Sequence, residues 1–222
     1  MNSQQYNRAN KRVFLAVIIV FAYIALFAAV GTKDADITRI SIQLVAAIAV
    51  IVIAVIAFIT KRDSRTGALI LVSAMTAGYF IIALINSTIG TWPYALPLVI
   101  AAMIYLDIKM MMVMNAVIII SSVIRLVMQL GIGGTVLQND VIAVFVLVLV
   151  GYASDSITIL LTHFFDENME EIKESAMAQV DSNKKMVMVA ENISKHFDEA
   201  MTMLNDLDES VAVSHSSIQE IA

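Results

Sequence analysis

The pattern of apolar and polar positions changes character once along the chain. Up to about residue 162, apolar residues come in long blocks broken only by short polar turns. Six blocks can be set against the roughly 20 residues that cross a bilayer core: Val13–Val30, Ile40–Ile59, Gly67–Ile85, Pro93–Leu106, Met110–Leu130 and Val141–Leu161. The fourth is the shortest, and Thr91 and Trp92 extend it at one end. The turns between blocks read GTKDADITR, TKRDSRT, NSTIGTW, DIK and GIGGTVLQND. Connections this short force each helix to run antiparallel to the one before it.

Beyond residue 162 the blocks give way to a seven-residue repeat. Its a positions are Ala176, Asn183, Ala190, Phe197, Leu204, Val211 and Ile218. Its d positions are Ile172, Gln179, Met186, Ile193, Ala200, Leu207, Ser214 and Ile221. No glycine or proline interrupts the chain between Gly151 and Ala222, and a sustained 3.5-residue period of this length predicts a coiled coil. The alternative, an amphipathic helix lying on lipid, calls for a basic polar face, and this one is acidic. Small residues at Ala176, Ala190, Ala200 and Ser214 beside Phe197 and Leu204 suit a wide helical bundle. Asn183 would fix its register.

The reading is therefore an all-α membrane protein, a six-helix transmembrane bundle continuing into a long cytoplasmic coiled-coil helix. Its expected parts are an N-terminal segment over residues 1–12, a six-span sensor over 13–162 and a coiled-coil signalling helix over 163–222. Composition agrees: 59% of the 222 residues are hydrophobic and 15% charged, beyond the usual range of water-soluble domains. The N-terminal apolar run is too long for a cleaved signal peptide. Charge sharpens the division. Residues 1–163 hold ten Lys/Arg and six Asp/Glu, whereas residues 164–222 hold four and thirteen. With the N-terminus cytoplasmic, the inner segments carry Arg8, Lys11, Arg12, Lys61, Arg62, Arg65 and Lys109, against Lys33 and Arg39 outside. That bias satisfies the positive-inside rule and puts both termini in the cytoplasm. A five-span layout with a re-entrant fourth segment would put the tail outside.

Two ionisable residues lie within spans, Arg125 and Asp155, and such residues suggest function. At 1.5 Å per residue their depths differ by roughly 13 Å, too far for a direct salt bridge. Arg125 is nearer Asp140; it either snorkels outward or contacts an anionic or polar ligand. The stretch TAGYF and then NSTIGTWPYALP adds Tyr79, Asn86, Trp92 and Tyr94 at a similar level. These form either an interfacial aromatic belt or, with Arg125, a small-molecule pocket. Pro97, by freeing a backbone carbonyl at Pro93, would widen the packing there. Asp155, beside Ser154, Ser156 and Thr158, is either a structural carboxylate held by local hydroxyls or a transmission point.

No cysteine is present and no carboxylate or histidine pair stands at metal-ligand spacing in a span. We therefore expect no metal, no cofactor, no nucleic-acid partner and no enzyme activity. The HFDE stretch superficially matches a phosphoacceptor histidine, but the proline and basic residue of a kinase dimerisation helix do not follow it. The almost wholly apolar first two spans argue against a transporter, which would carry broken helices and midplane polar groups.

The segment VAENISKHFDEAMTMLNDLDESVAVSHSSIQEIA resembles the descending first helix of the cytoplasmic domain of bacterial methyl-accepting chemotaxis receptors. The six spans are similar, in number and layout only, to receptors with a membrane-embedded sensory module. The resemblance implies a homodimer in the bacterial inner membrane that senses a small ligand or membrane state. In the full-length protein it implies a histidine kinase and a coupling adaptor as partners. It also implies that this chain stops before the hairpin tip. Gln219 and Glu220, near Ser216, Ser217 and Ala222, match the family's methylation pattern in part, and His215 departs from it. The sensor half of a histidine kinase or nucleotide cyclase is the alternative, followed by a small transporter.

Overall fold

The structure is a computed structural model that describes residues 2–30, 37–85, 91–130 and 134–221, without the side chains at 134–137, 215 and 217–221. All regular structure in these residues is helical: α1 (Ser3–Val30), α2 (Ile37–Lys61), α3 (Arg65–Ile85), a 3-10 turn (Trp92–Tyr94), α4 (Ala95–Met103), α5 (Ile108–Gln129) and α6 (Gly134–Ile221). Contacts divide the chain into two units, residues 1–164 and 165–222.

Local chemistry explains where the helices start. Asn2 and Gln5 close a reciprocal capping box, each side chain accepting from the other's backbone N–H at 2.9 and 2.8 Å. Helix α1 thus begins well before its apolar block, and residues 3–12 form its first turns. Ser64 Oγ accepts from the Gly67 N–H at 3.2 Å at the head of α3. Asp107, in extended conformation, caps α5 by accepting from the Met110 N–H at 3.2 Å. The residue before it, Leu106, has φ 51°. A left-handed leucine costs about 1–2 kcal/mol, and the tight turn from α4 into α5 imposes it.

Contacts at two ends set the helix directions. At one end, Asn10 Nδ2 donates to the carbonyls of Arg62 and Ser64 at 2.7 and 3.2 Å, and the Tyr105 hydroxyl donates to Asn10 Oδ1 at 2.7 Å. Arg65 meets Asp107 at 2.8 Å there, and the Thr162 hydroxyl donates to the Leu106 carbonyl at 3.4 Å. At the other end, Arg125 contacts Ala83, Thr91 and Asp140. Phe14 stacks on Phe58 at 4.6 Å, so α1 and α2 are antiparallel. The chain therefore travels between the two ends six times, and α3 and α5 run parallel with the α4 segment returning between them.

Five helices among the described residues are long and apolar enough to cross a membrane, and Trp92–Met103 is a shorter apolar helix. The fourth passage thus departs from the other five. Nine helical residues of α4 reach only about 14 Å, and the steeper 3-10 turn before them supplies further rise. Pro97 falls in the first turn of α4, where a missing N–H costs little.

The core of the first unit is built from stripes spaced by three and four: Val13, Val17, Phe21 and Ile24 on α1, and Ala47, Val50, Ala54 and Ala57 on α2. Small residues on α2 let the backbones approach. One close approach is at Gly78, where an added Cβ would drive into Val50 and lie 2.9 Å from the Phe21 ring. Outside the core, Ile19, Leu26, Val45, Ile56, Phe145 and Tyr152 are exposed. An apolar exterior of this extent belongs against lipid or protein.

The second unit consists of the α6 residues from Phe165 onward, and its described side chains are all exposed. The described a and d positions are therefore uncovered in the single chain: Phe197 is 70% exposed and Leu204 62%. Asp181–Lys185 at 2.7 Å and Lys195–Glu199 at 3.9 Å pair charges one turn apart, each adding a few tenths of a kcal/mol, about 0.3–0.5, to the helix.

Candidate functional site

Polar side chains in the first unit gather along the facing surfaces of α5 and α6. On α5, Asn115, Ser122 and Gln129 are seven residues apart, and Arg125 shares their face; all four are buried. On α6, the buried positions are Asp140, Ala143, Leu147, Gly151, Ser154 and Thr158, a single stripe spaced by three and four. The two helices meet along a seam with charge at one end and amide chemistry farther along.

Arg125 is buried, at 6% exposure. Its Nε faces Asp140 Oδ1 at 2.9 Å, off the line a hydrogen bond prefers, so the contact is an ion pair. Its Nη1 donates to the Thr91 hydroxyl at 3.2 Å and the Ala83 carbonyl at 3.4 Å. One guanidinium thus ties the end of α3, the entry to α4, and α5 to the start of α6. The proximity of Asp140 expected from depth along the helices is realised, and outward snorkelling is not the conformation seen. Asp140 is 3% exposed, and its Oδ2 has no hydrogen-bond partner among the described residues.

The other candidates group around this pair to different degrees. Tyr79 is buried with its hydroxyl towards Ser122 and Arg125. Trp92 borders the small void beside Arg125 and Asp140, along with Ala83, Thr91, Ser122 and Ala143. Tyr94 points elsewhere, packing edge-on against Tyr23 at 6.1 Å. Asn86 lies outside the described residues, as do the side chains of Gln219 and Glu220. The void measures about 10 Å³, about one water molecule.

Asp155 stands apart from Arg125. Local hydroxyls were the expected partners, but Ser154 and Thr158 turn back onto α6 carbonyls at 3.0 and 2.7 Å. The partner is Asn115, whose Nδ2 donates to Asp155 Oδ1 at 2.8 Å and to Ser154 Oγ at 2.9 Å. Gly151 makes room for this contact: an added Cβ would lie 3.3 Å from Ile119 and 3.6 Å from Asn115. Asn115 was not among the sequence candidates, though its seven-residue spacing to Ser122 and Gln129 marks it.

At the opposite end, Asp107 is held below the usual carboxylate range. Burial pushes it up, but the Arg65 hydrogen bond and charge and the backbone N–H groups of Met110 and Lys109 outweigh that. No group of three or more His, Cys, Asp or Glu suited to a metal occurs among the described residues. A scan of family models and searches of curated proteins and of solved structures return no match.

Proposed function

We propose that the chain is the sensory part of a membrane-embedded signalling receptor of the chemotaxis type, acting as a homodimer in a bacterial inner membrane with both termini cytoplasmic. One observation carries the reading: α6 is a single helix from Gly134 to Ile221 that bears both the polar seam against α5 and the apolar heptad stripe. A change at Arg125–Asp140 or Asn115–Asp155 then needs no relay; it acts on the same continuous helix that presents the a and d positions. Buried ion pairs have discrete alternatives, made or broken, which suits a switch. The stimulus would be a small ligand or a change in the membrane that competes for these contacts. The output would be a helical bundle engaging a histidine kinase and a coupling adaptor.

Cysteine scanning tests the reading in a chain that has no native cysteine. Oxidative crosslinking between copies in membranes is expected to peak at Ile193, Phe197, Ala200, Leu204 and Leu207. Asn115→Ala is expected to shift the balance between a and d positions. A flat profile rejects the dimeric coil, and a profile insensitive to every seam variant rejects signal passage through α6.

A further inference from the structure

A second feature lies on the far side of α5 from the polar seam. Between the parallel helices α3 and α5 runs a groove of about 720 Å³, within the 300–1,000 Å³ typical of ligand sites. Small side chains cut it: Ser73, Thr76 and Ala77 of α3 leave a valley flanked by Leu69 and Phe80 and, across it, by Val113 and Val117 of α5. From Arg65 to Ile81 it follows α3 for roughly 24 Å. The Thr76 hydroxyl on its wall asks for no further partner, since it already donates to the Val72 carbonyl at 2.7 Å. Leu69 and Val113 are 43% and 66% exposed, so the groove opens sideways.

Charge is confined to one end. Arg65, Asp107 and Lys109 line that end alone. Arg65 uses one Nη on Asp107 and keeps its other donors towards solvent. Lys109 is exposed, and among the described residues no carboxylate lies within ion-pair distance of it. The end therefore offers two cations against one carboxylate that already caps α5.

We propose that the groove holds one acyl chain of an anionic phospholipid, with its phosphate between Arg65 and Lys109. A dry apolar trough with a cationic mouth matches an amphiphile with one anionic head. The apolar face of a second copy would cover the trough and leave the Lys109 charge uncompensated. This assignment rests on the reading that the first unit sits in a bilayer, and it makes the α3–α5 pair responsive to lipid composition.

Single cysteines replacing Leu69, Val113 and, as a reference on the exposed face of α2, Ile56 can each carry a small fluorophore. The full chain is placed in phosphatidylcholine vesicles containing nitroxide-labelled phosphatidylglycerol or nitroxide-labelled phosphatidylcholine. At Leu69→Cys and Val113→Cys, phosphatidylglycerol is expected to quench at about fivefold lower mole fraction, the factor one Lys or Arg contributes beside anionic lipid. The reference site is expected to show no preference. Lys109→Gln is expected to remove most of the preference, and Ala77→Phe, which fills the floor, to remove it entirely. Equal quenching by the two lipids at both groove sites overturns the proposal. So does shielding from both lipids while the reference is quenched, which would mean that protein occupies the groove. If the reference site is also unquenched, the bilayer placement itself is wrong, and the proposal falls with it.

Discussion

Replacing Arg125 with alanine strips Asp140 of its ion-pair partner in a site where neither side chain is more than 7% exposed. Breaking a buried pair on one side costs about 3–5 kcal/mol. Lost donation to Ala83 and Thr91 adds to this, and water entering the vacated space subtracts. The expected destabilisation is about 3–4 kcal/mol, or roughly 2–4 °C of midpoint for each kcal/mol in a chain this size. Reversible unfolding in detergent micelles reads this quantity. Arg125→Met with Asp140→Leu, which removes both charges, is expected to recover most of the loss. A deficit below about 1 kcal/mol, or one that the double variant does not relieve, would refute the account of Arg125 as the ion-pair partner of Asp140.

Other outcomes follow from single contacts. Gly78→Ala forces its methyl group into Val50 and Phe21 and is expected to cost about 1–3 kcal/mol in the same unfolding assay, with no comparable loss for Ala at the exposed Ser73. Asn115→Leu leaves Asp155 and Ser154 without their amide donor; a cost of about 1–3 kcal/mol is expected, relieved by the further change Asp155→Asn. Asp107→Ala removes the α5 cap and is expected to cost about 1 kcal/mol. Because the folded carboxyl of Asp107 is held low, its contribution is present above the ordinary range near pH 4 and lost as pH falls through its folded value; the Ala variant should lack that acid-side loss. Phe197→Ala is expected to weaken self-association of the chain, measured by sedimentation in micelles, while leaving unfolding of the first unit unchanged.

Much of the helical layout was legible because a bilayer-length apolar block or a heptad repeat is a one-dimensional signal. Five of six apolar blocks became helices longer than the blocks themselves, since caps such as Asn2–Gln5 and polar first turns extend a helix past its greasy centre. The fourth block, read as the shortest span, is shorter still as an α-helix, because hydropathy does not register that its first residues form a 3-10 turn over Trp92–Tyr94. The Arg125–Asp140 contact could be anticipated from axial depth alone. Asn115 could not be singled out by charge, because an amide in a span draws less attention than an ion, although its heptad offset from Ser122 and Gln129 was there to be read.

By itself, the sequence determined that the chain is helical, that its first part is built of apolar passages joined by tight turns, and that its last part keeps a seven-residue rhythm. Those properties follow from local periodicity and from the length of each apolar run, which do not depend on neighbours. Only the tertiary structure decided which polar groups meet. Rotation of α5 about its own axis points Asn115, Ser122 and Arg125 at α6 and turns Met110, Val113 and Val117 to a groove on its other side. That rotation is set by side-chain packing against three other helices, with Gly151 admitting the close approach of α6, and no single stretch of sequence contains it.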